Sequence, residues 1–223
     1  MEAIEFGDFL DRIGASESTL GIGVIRKPER VVGLRDIAEP RFVSAMHKDY
    51  LERLLAHVCL AGDRSVHPYA RARFKLIQMD PRAVNICQTF VEKKKMIALL
   101  EHFSGFLDNY HLPGGFSQLC PMLIFGDDAQ GQPALAHYLP PIAEVHGGRS
   151  VILDGIHRNF IVKNTGATIT TIVVDGVATP FPCSLRAWDE IRPVDAKPPN
   201  INDRFFDLDA MLFRDLKFIG IDG

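Results

Sequence analysis

The sequence predicts a mixed α/β (α+β) fold, in which a small mixed sheet carries packed helices and an N-terminal extension adds a helical layer. Short apolar runs rich in β-branched residues alternate with amphipathic stretches along the chain. A strand, a glycine turn, a short helix and a second strand follow one another within residues 151–174. A hydrophobic fraction of 47% with 24% charged residues is typical of a globular protein with a buried core.

Charge and apolar patterning narrow the classes of function. No run of about 18 apolar residues is present, which predicts no membrane partner. The acidic start of the chain lacks the basic and apolar regions of a secretory signal, so we expect a cytoplasmic protein. The net charge of −3 excludes a wholly basic nucleic-acid-binding protein, although bases outnumber acids over residues 64–95.

The four cysteines are not clustered in the sequence. They lie far apart and form no C-x-x-C pair, which argues against a disulfide framework or a structural zinc site. We therefore predict free, buried thiols. The four are Cys59, Cys87, Cys120 and Cys183.

We divide the chain into three segments. Residues 1–63 form an N-terminal extension with one amphipathic helix, residues 64–180 the core domain, and residues 181–223 a proline-containing C-terminal extension packed on the core. In the first segment, apolar side chains recur at three- and four-residue spacing over residues 41–60, which predicts the helix. Gly62 is suited to the C′ position after it.

Several shorter elements are predicted around that helix and within the core. Thr89 and Glu92 have the spacing of a capping box, which predicts a helix that ends at about residues 102–104, before Gly105. Apolar runs bounded by glycine, proline or aspartate predict strands. These strands are residues 20–25, 31–34, 74–79, 121–125 and 135–139.

The most informative stretch begins at residue 150. Residues 150–153 predict a strand that stops at Asp154-Gly155, residues 156–163 form about two helical turns, and residues 168–174 are dense in β-branched residues. A helix that begins directly after a strand presents unpaired backbone N–H groups and the positive end of its dipole. The sequence therefore predicts an anion site, most simply for phosphate, at this turn.

Each residue of the turn has a predicted role. Gly155 allows a sharp turn and close approach of a ligand, and the backbone of Ile156 lies at the helix start. Arg158 can grip phosphate oxygens in bidentate fashion, and His157 can donate a hydrogen bond or move a proton. Asp154 can hold Mg²⁺ or accept from a hydroxyl. Spacing leaves an alternative open, in which Arg158 only pairs with Asp154 at the surface.

The octapeptide Val151-Ile152-Leu153-Asp154-Gly155-Ile156-His157-Arg158, followed by a short helix and a β-branched strand, resembles the core motif of the ParB/sulfiredoxin superfamily. The resemblance is specific over residues 150–174 and extends more loosely back to residue 74. In that family an apolar strand leads into D-G-x-H-R or related turns, which hold nucleotide phosphates. The resemblance implies a nucleoside triphosphate or diphosphate with Mg²⁺ as ligand, bound by Gly155 to Arg158.

Departures from the family pattern limit what is carried over. Sulfiredoxins have a catalytic cysteine where this chain has Ile156, so sulfinic acid reduction is not expected. Chromosome-partition ParB proteins contain a helix-turn-helix domain, and this sequence shows no such pair of helices, so DNA is a partner we consider but do not favour. The related free-serine kinases carry D-G-H-H-R, but their catalytic glutamate has no recognisable counterpart here.

Two classes of function follow from the resemblance. In the first, the protein is a nucleotide-dependent phosphoryl transferase or hydrolase, with Asp154 on Mg²⁺ and His157 in proton transfer. In the second, it is a non-catalytic module in which nucleotide regulates the binding of DNA or of a protein. A ParB-like nuclease is a third, weaker interpretation.

Other candidate residues fit less well. His102 and His111 flank Asp108, but the gaps match no common metal-ligand pattern. The basic run at residues 93–95 is either a solvated helix face or a surface that steers a phosphate-rich partner. Ser65 and Ser184 have no nucleophile-elbow context.

Overall fold

The computed structural model describes residues 1–20, 27–110, 116 and 118–221, and of residues 19, 20 and 102–110 it describes the backbone alone. Within these residues no helix has the length and apolar character needed to cross a membrane. The α-helices are α1 (Phe6–Arg12), α2 (Lys48–Ala56), α3 (Lys93–Tyr110) and α4 (Ile156–Thr165). The strands are β1 (Ile4–Glu5), β2 (Arg30–Val31), β3 (Ile37–Ala45), β4 (Cys59–Leu60), β5 (Arg73–Met79), β6 (Phe90–Glu92), β7 (Met122–Asp128), β8 (Pro133–Tyr138), β9 (Ile142–His146), β10 (Arg149–Asp154), β11 (Ile169–Asp175), β12 (Arg192–Val194) and β13 (Arg214–Asp215).

The fold is mixed α/β with several sheets, as the sequence predicts at this coarse level. The chain forms two compact units, where the sequence suggested three consecutive segments. The first unit is built from Met1–Arg71, Cys120–Leu139 and Arg214–Gly223. The second is built from Ala72–Leu119 and Pro140–Phe213.

The first unit contains a five-stranded sheet in the order β1-β2-β8-β7-β3. Strand β7 pairs antiparallel with both β3 and β8, and β2 pairs parallel with β8. All six residues of β8 are buried. Residues 1–63 thus supply four strands and two helices, where the sequence predicted short strands and a layer of one amphipathic helix.

The predicted helix over residues 41–60 is confirmed only in its second half. Residues 41–45 belong to β3, where Phe42 pairs with Phe125 of β7 and their ring centroids are 6.0 Å apart. The helix α2 begins only after His47, whose ring accepts a hydrogen bond from the backbone N–H of Asp49. It ends at Ala56, so Gly62 is not its C′ residue. Cross-strand pairing outweighs the local helical spacing here.

The second unit contains a four-stranded mixed sheet in the order β10-β9-β11-β5. Strands β9 and β10 form an antiparallel hairpin, β11 runs parallel to β9, and β5 pairs antiparallel with β11 over its whole length. The ladder of the hairpin shifts by one residue near its end: Ile152 pairs with Ala143, but Asp154 pairs with Ile142. This irregularity is a β-bulge at Leu153.

The two faces of this sheet have different covers. On one face Ala143 and Ile152 pack with Ile156 of α4 in an apolar cluster that also includes Val91 and Ile191. On the other face Val151 packs with Cys87 and Cys183, with partly buried hydrophobics of residues 181–208 around them. Side chains alternate between the two faces of a strand, so each of these two apolar clusters packs against every second residue of β10.

Several predicted elements of the second unit are confirmed and others need correction. The strand at 74–79 and the strand, helix and strand of residues 150–174 are confirmed as β5, β10, α4 and β11. The strand at 121–125 exists as β7, but it lies in the sheet of the first unit. The neighbour of β10 in its own sheet is β9, which we did not predict. The predicted strand at 20–25 lies mainly outside the described residues.

The prediction of a capping box at Thr89 and Glu92 is wrong. Residues Phe90–Glu92 form β6, which pairs parallel with β12 far along the chain, and the Thr89 hydroxyl donates to the carbonyl of Asp203. The helix α3 begins only at Lys93 and continues to Tyr110, past the predicted end at Gly105. Residues distant in sequence therefore decide the conformation of this stretch.

Candidate functional site: the Asp154–Arg158 turn

The Asp154–Arg158 motif lies where β10 ends and α4 begins. Asp154 is the last residue of the strand, and Gly155 follows as the N-cap with φ of 85° and ψ of 25°, in the left-handed region. A Cβ on Gly155 would lie 2.8 Å from the Cβ atom of Pro141. Both the backbone angle and the close approach of Pro141 therefore require glycine at this position.

The turn is anchored from inside the helix. Ile156 is buried in the apolar cluster below α4. Asn159, also buried, donates both its backbone N–H and its Nδ2–H to the carbonyl oxygen of Gly155, each at 3.0 Å. These two hydrogen bonds to one carbonyl oxygen connect Gly155 to the first turn of α4. We did not single out Asn159 from the sequence, although its position four residues after Gly155 is the signal for such a contact.

Arg158 lies in the first turn of α4, and its guanidinium reaches back over the turn. Its Nη2 donates to Oδ2 of Asp154 at 3.0 Å, and both side chains are only 13% exposed. The same Nη2 lies 3.0 Å from the position of a Cβ on Gly155. The pairing that spacing left open therefore exists in the structure, but it lies at the helix N-terminus and is largely shielded from solvent.

His157 is engaged with another element. Its side chain is buried, and its Nε2 accepts a hydrogen bond from the backbone N–H of Glu92 at 3.0 Å. The bond fixes the tautomer, because the accepting Nε2 carries no proton. His157 thus connects α4 to β6, directly before α3 begins.

Two of the remaining candidate residues, Lys93 and Ser184, have other surroundings in the structure. The Lys93 ammonium pairs with the exposed carboxylate of Asp195 at 2.9 Å. The side chains of His102 and Asp108, and the whole of His111, lie outside the described residues. Ser184 lines a cleft near the other end of β10.

The carboxylate of Asp154 is the candidate metal ligand at this turn. Over the described part of the chain, no group of three or more histidine, cysteine, aspartate or glutamate side chains is arranged to hold a metal ion. A Mg²⁺ at Asp154 would therefore take most of its ligands from water and from substrate phosphates, as Mg²⁺ commonly does. Comparison of the chain with protein-family models, with curated proteins and with solved structures found no match.

Proposed function

We propose that the chain is a nucleotide-binding protein whose Asp154–Arg158 turn holds the phosphates. The observation that supports this most is the guanidinium of Arg158, which lies over the turn at the N-terminus of α4. Backbone N–H groups and the positive end of the helix dipole already favour an anion there. A planar cation in the same place adds bidentate donors for phosphate oxygens.

The position of Arg158 is costly without an anion. A cation near a helix N-terminus is disfavoured by about 0.3–1 kcal/mol relative to an anion-stabilised end. Asp154 offsets part of this cost through its hydrogen bond from Nη2 of Arg158. We propose that phosphate oxygens bind this guanidinium, and that Mg²⁺ bound to the phosphates approaches Asp154. Asp154 then exchanges part of its contact with Arg158 for the metal.

Of the two classes of function, the contact of His157 favours the non-catalytic module. A residue that moves a proton needs access to the reacting group. His157 is buried, and its Nε2 already accepts from Glu92. We assign it instead the role of connecting the phosphate turn to β6 and α3, so that an occupied turn stabilises the surface of those elements for a partner. Nucleotide hydrolysis measured over many hours tests the other class.

The first experiment screens the four ribonucleoside triphosphates and their diphosphates with Mg²⁺ by thermal shift, since a ligand of the native state raises the melting temperature. For the nucleotide with the largest shift, Arg158→Ala should weaken binding about ten- to a hundredfold, corresponding to about 1.5–3 kcal/mol for a bond to a charged group. Arg158→Lys should recover only part of this, because an ammonium lacks the guanidinium fork.

The matched control is Arg73→Ala. Arg73 also pairs with an aspartate of the same unit, Asp175, at 2.6 Å, but at the edge strand β5. Its removal should leave nucleotide affinity unchanged. Two results would contradict the proposal: no nucleotide raises the melting temperature, or Arg158→Ala melts lower and binds as the wild type does. In the second case Arg158 is only the structural partner of Asp154.

A further inference from the structure

A cleft of about 500 Å³ lies at the opposite end of β10 from the phosphate turn. It is lined by the tip of the β9–β10 hairpin and by the segment that follows Cys183. Arg149 and Asp154 are the two ends of β10, and five residue steps separate them by about 16 Å. The lining residues are His146, Gly147, Arg149, Ser184, Leu185 and Arg186.

The register of the hairpin places its polar side chains on one face. His146 pairs with Arg149, and Glu144 pairs with Val151. Directly paired residues share a face of a sheet, as do residues two apart on one strand. Gly147 and Gly148, both with positive φ, form the tight turn that brings His146 opposite Arg149. Glu144, His146 and Arg149 therefore lie side by side on this face.

Glu144 lies behind His146, away from solvent. Its side chain is 0% exposed, and its Oε2 is 2.6 Å from Nε2 of His146. Its neighbours across the ladder are Val151 and Val174. Burying a carboxylate among apolar side chains costs several kcal/mol unless strong hydrogen bonds compensate. The hydrogen bond with this buried carboxylate fixes the orientation of the His146 ring.

The other nitrogen of this ring is available to a ligand. His146 is 20% exposed and lines the cleft. Within the part of the chain that the structure describes, its Nδ1 makes no hydrogen bond, and its remaining contact is with the ring of Phe181 at 5.4 Å. A carboxylate–histidine pair that leaves one ring nitrogen toward a cleft is a common arrangement for holding a ligand.

Two guanidinium groups complete the cleft. Arg186 is held in place by Asp207 at 3.5 Å and Glu190 at 3.9 Å, and its Cζ lies 5.6 Å from the centre of the Phe206 ring. Arg149 is exposed and forms no ion pair with any residue that the structure describes. An unpaired guanidinium beside a positioned one suits an oxyanion, because each offers a planar fork of N–H donors.

We propose that this cleft is a second anion site, in which Arg149 and Arg186 bind a tetrahedral oxyanion of the phosphate ester class, and His146, as an imidazolium whose Nε2–H bonds Glu144, donates a third hydrogen bond through Nδ1–H. Leu185, also in the lining, supplies apolar contact for the organic part of an ester. Glu144 is a positioning residue that does not touch the ligand. The site is independent of the nucleotide proposed for the Asp154–Arg158 turn.

The test uses the full chain labelled with ¹⁵N and titrated with inorganic sulfate, inorganic phosphate and phenyl phosphate. Saturable shifts are expected at the amides of Gly147, Arg149, Ser184 and Arg186, and at the His146 ring. Arg149→Gln should weaken binding about five- to tenfold, as expected for one exposed charged hydrogen bond. Tighter binding of phenyl phosphate than of inorganic phosphate identifies an ester as the ligand, and equal affinity identifies the free anion.

The matched control is Arg192→Gln, which removes the same charge from an exposed position of β12 outside the cleft. It should leave the affinity unchanged, and Arg158→Ala should leave the shifts of the cleft unchanged. A Glu144→Gln variant would change a buried residue and can fail to fold. The decisive variant is therefore Arg149→Gln, because Arg149 is exposed. Equal affinity in the Arg149→Gln and Arg192→Gln proteins, or absence of saturable shifts at the cleft, overturns the proposal.

Discussion

The replacement Gly155→Ala tests whether the phosphate turn depends on its left-handed glycine. The chain offers a matched control, because Gly166 at the other end of α4 is also left-handed, with φ of 71°. A Cβ on Gly166 would meet nothing within 4 Å, whereas a Cβ on Gly155 would lie 2.8 Å from Pro141 and 3.0 Å from Arg158. The two substitutions therefore share the conformational cost and differ in the steric cost.

The expected magnitudes follow from these contacts. A non-glycine residue in the left-handed region costs about 1–2 kcal/mol, which is the full expected loss for Gly166→Ala. Crowding of a packed site adds about 1–3 kcal/mol, so Gly155→Ala should lower the free energy of unfolding by about 2–5 kcal/mol. The pyrrolidine ring of Pro141 is rigid and cannot swing away as a flexible side chain would.

Urea unfolding followed by tryptophan fluorescence measures this difference. Trp188 is the single tryptophan of the chain. Its ring centroid is 6.3 Å from that of Phe160 in α4, and its Nε1 donates to the carbonyl of Pro81 at 2.7 Å. Its emission therefore reports on the helix that both glycines flank. Equal losses of stability in the two variants would refute the reasoning, since the steric contribution of Pro141 would then be absent.

Two further predictions concern the buried His137 and the four thiols, of which Cys120 is exposed and not buried as the sequence predicts. Burial lowers the pKa of His137 from 6.5 to about 4, so the unfolded chain binds more protons between these pH values. The free energy of unfolding should therefore fall by about 3 kcal/mol as the pH drops from 6.5 to 4. Urea unfolding of a His137→Gln protein is the control: if its midpoint depends on pH as steeply as that of the wild type, the prediction is wrong. Of the four thiols, the exposed Cys120 should react at once with Ellman's reagent, and the three buried ones only after denaturation; a second fast thiol in the native protein would rule this out.

The sequence was most informative where the structure is local. The unit from β10 to β11 was predicted nearly residue by residue, because a β-branched run, an Asp-Gly turn and a second such run lie within 26 residues of one another. The position of Arg158 in the first helical turn followed from the same spacing. What spacing could not decide was whether its guanidinium faces Asp154, since an ion pair depends on side-chain direction.

The errors arise where a distant strand decides the local conformation. Phe90–Glu92 have the pattern of a helix start, yet their partners in β12 are about 100 residues away. Residues 41–45 have helical spacing, yet β7 pairs with them as a strand. Strand β9 was missed because Glu144 and His146 interrupt its apolar character. His146 lines the cleft at the other end of β10 and Glu144 orients its ring, so the interruption of the apolar pattern coincides with the proposed anion site.

The β-bulge at Leu153 has a consequence for the chemistry of the turn. In a regular ladder Asp154 would point to the same face as Ile152, two residues before it, and its carboxylate would enter the apolar cluster with Ile156. The extra residue reverses this alternation, so that Asp154 pairs with Ile142 instead. Leu153 is thus one extra residue that shifts the register of the strand by one position. If Leu153 instead stood in register opposite Ile142, the carboxylate of Asp154 would be directed into the hydrocarbon interior, so the register of β10 matters here as well as the identity of its side chains.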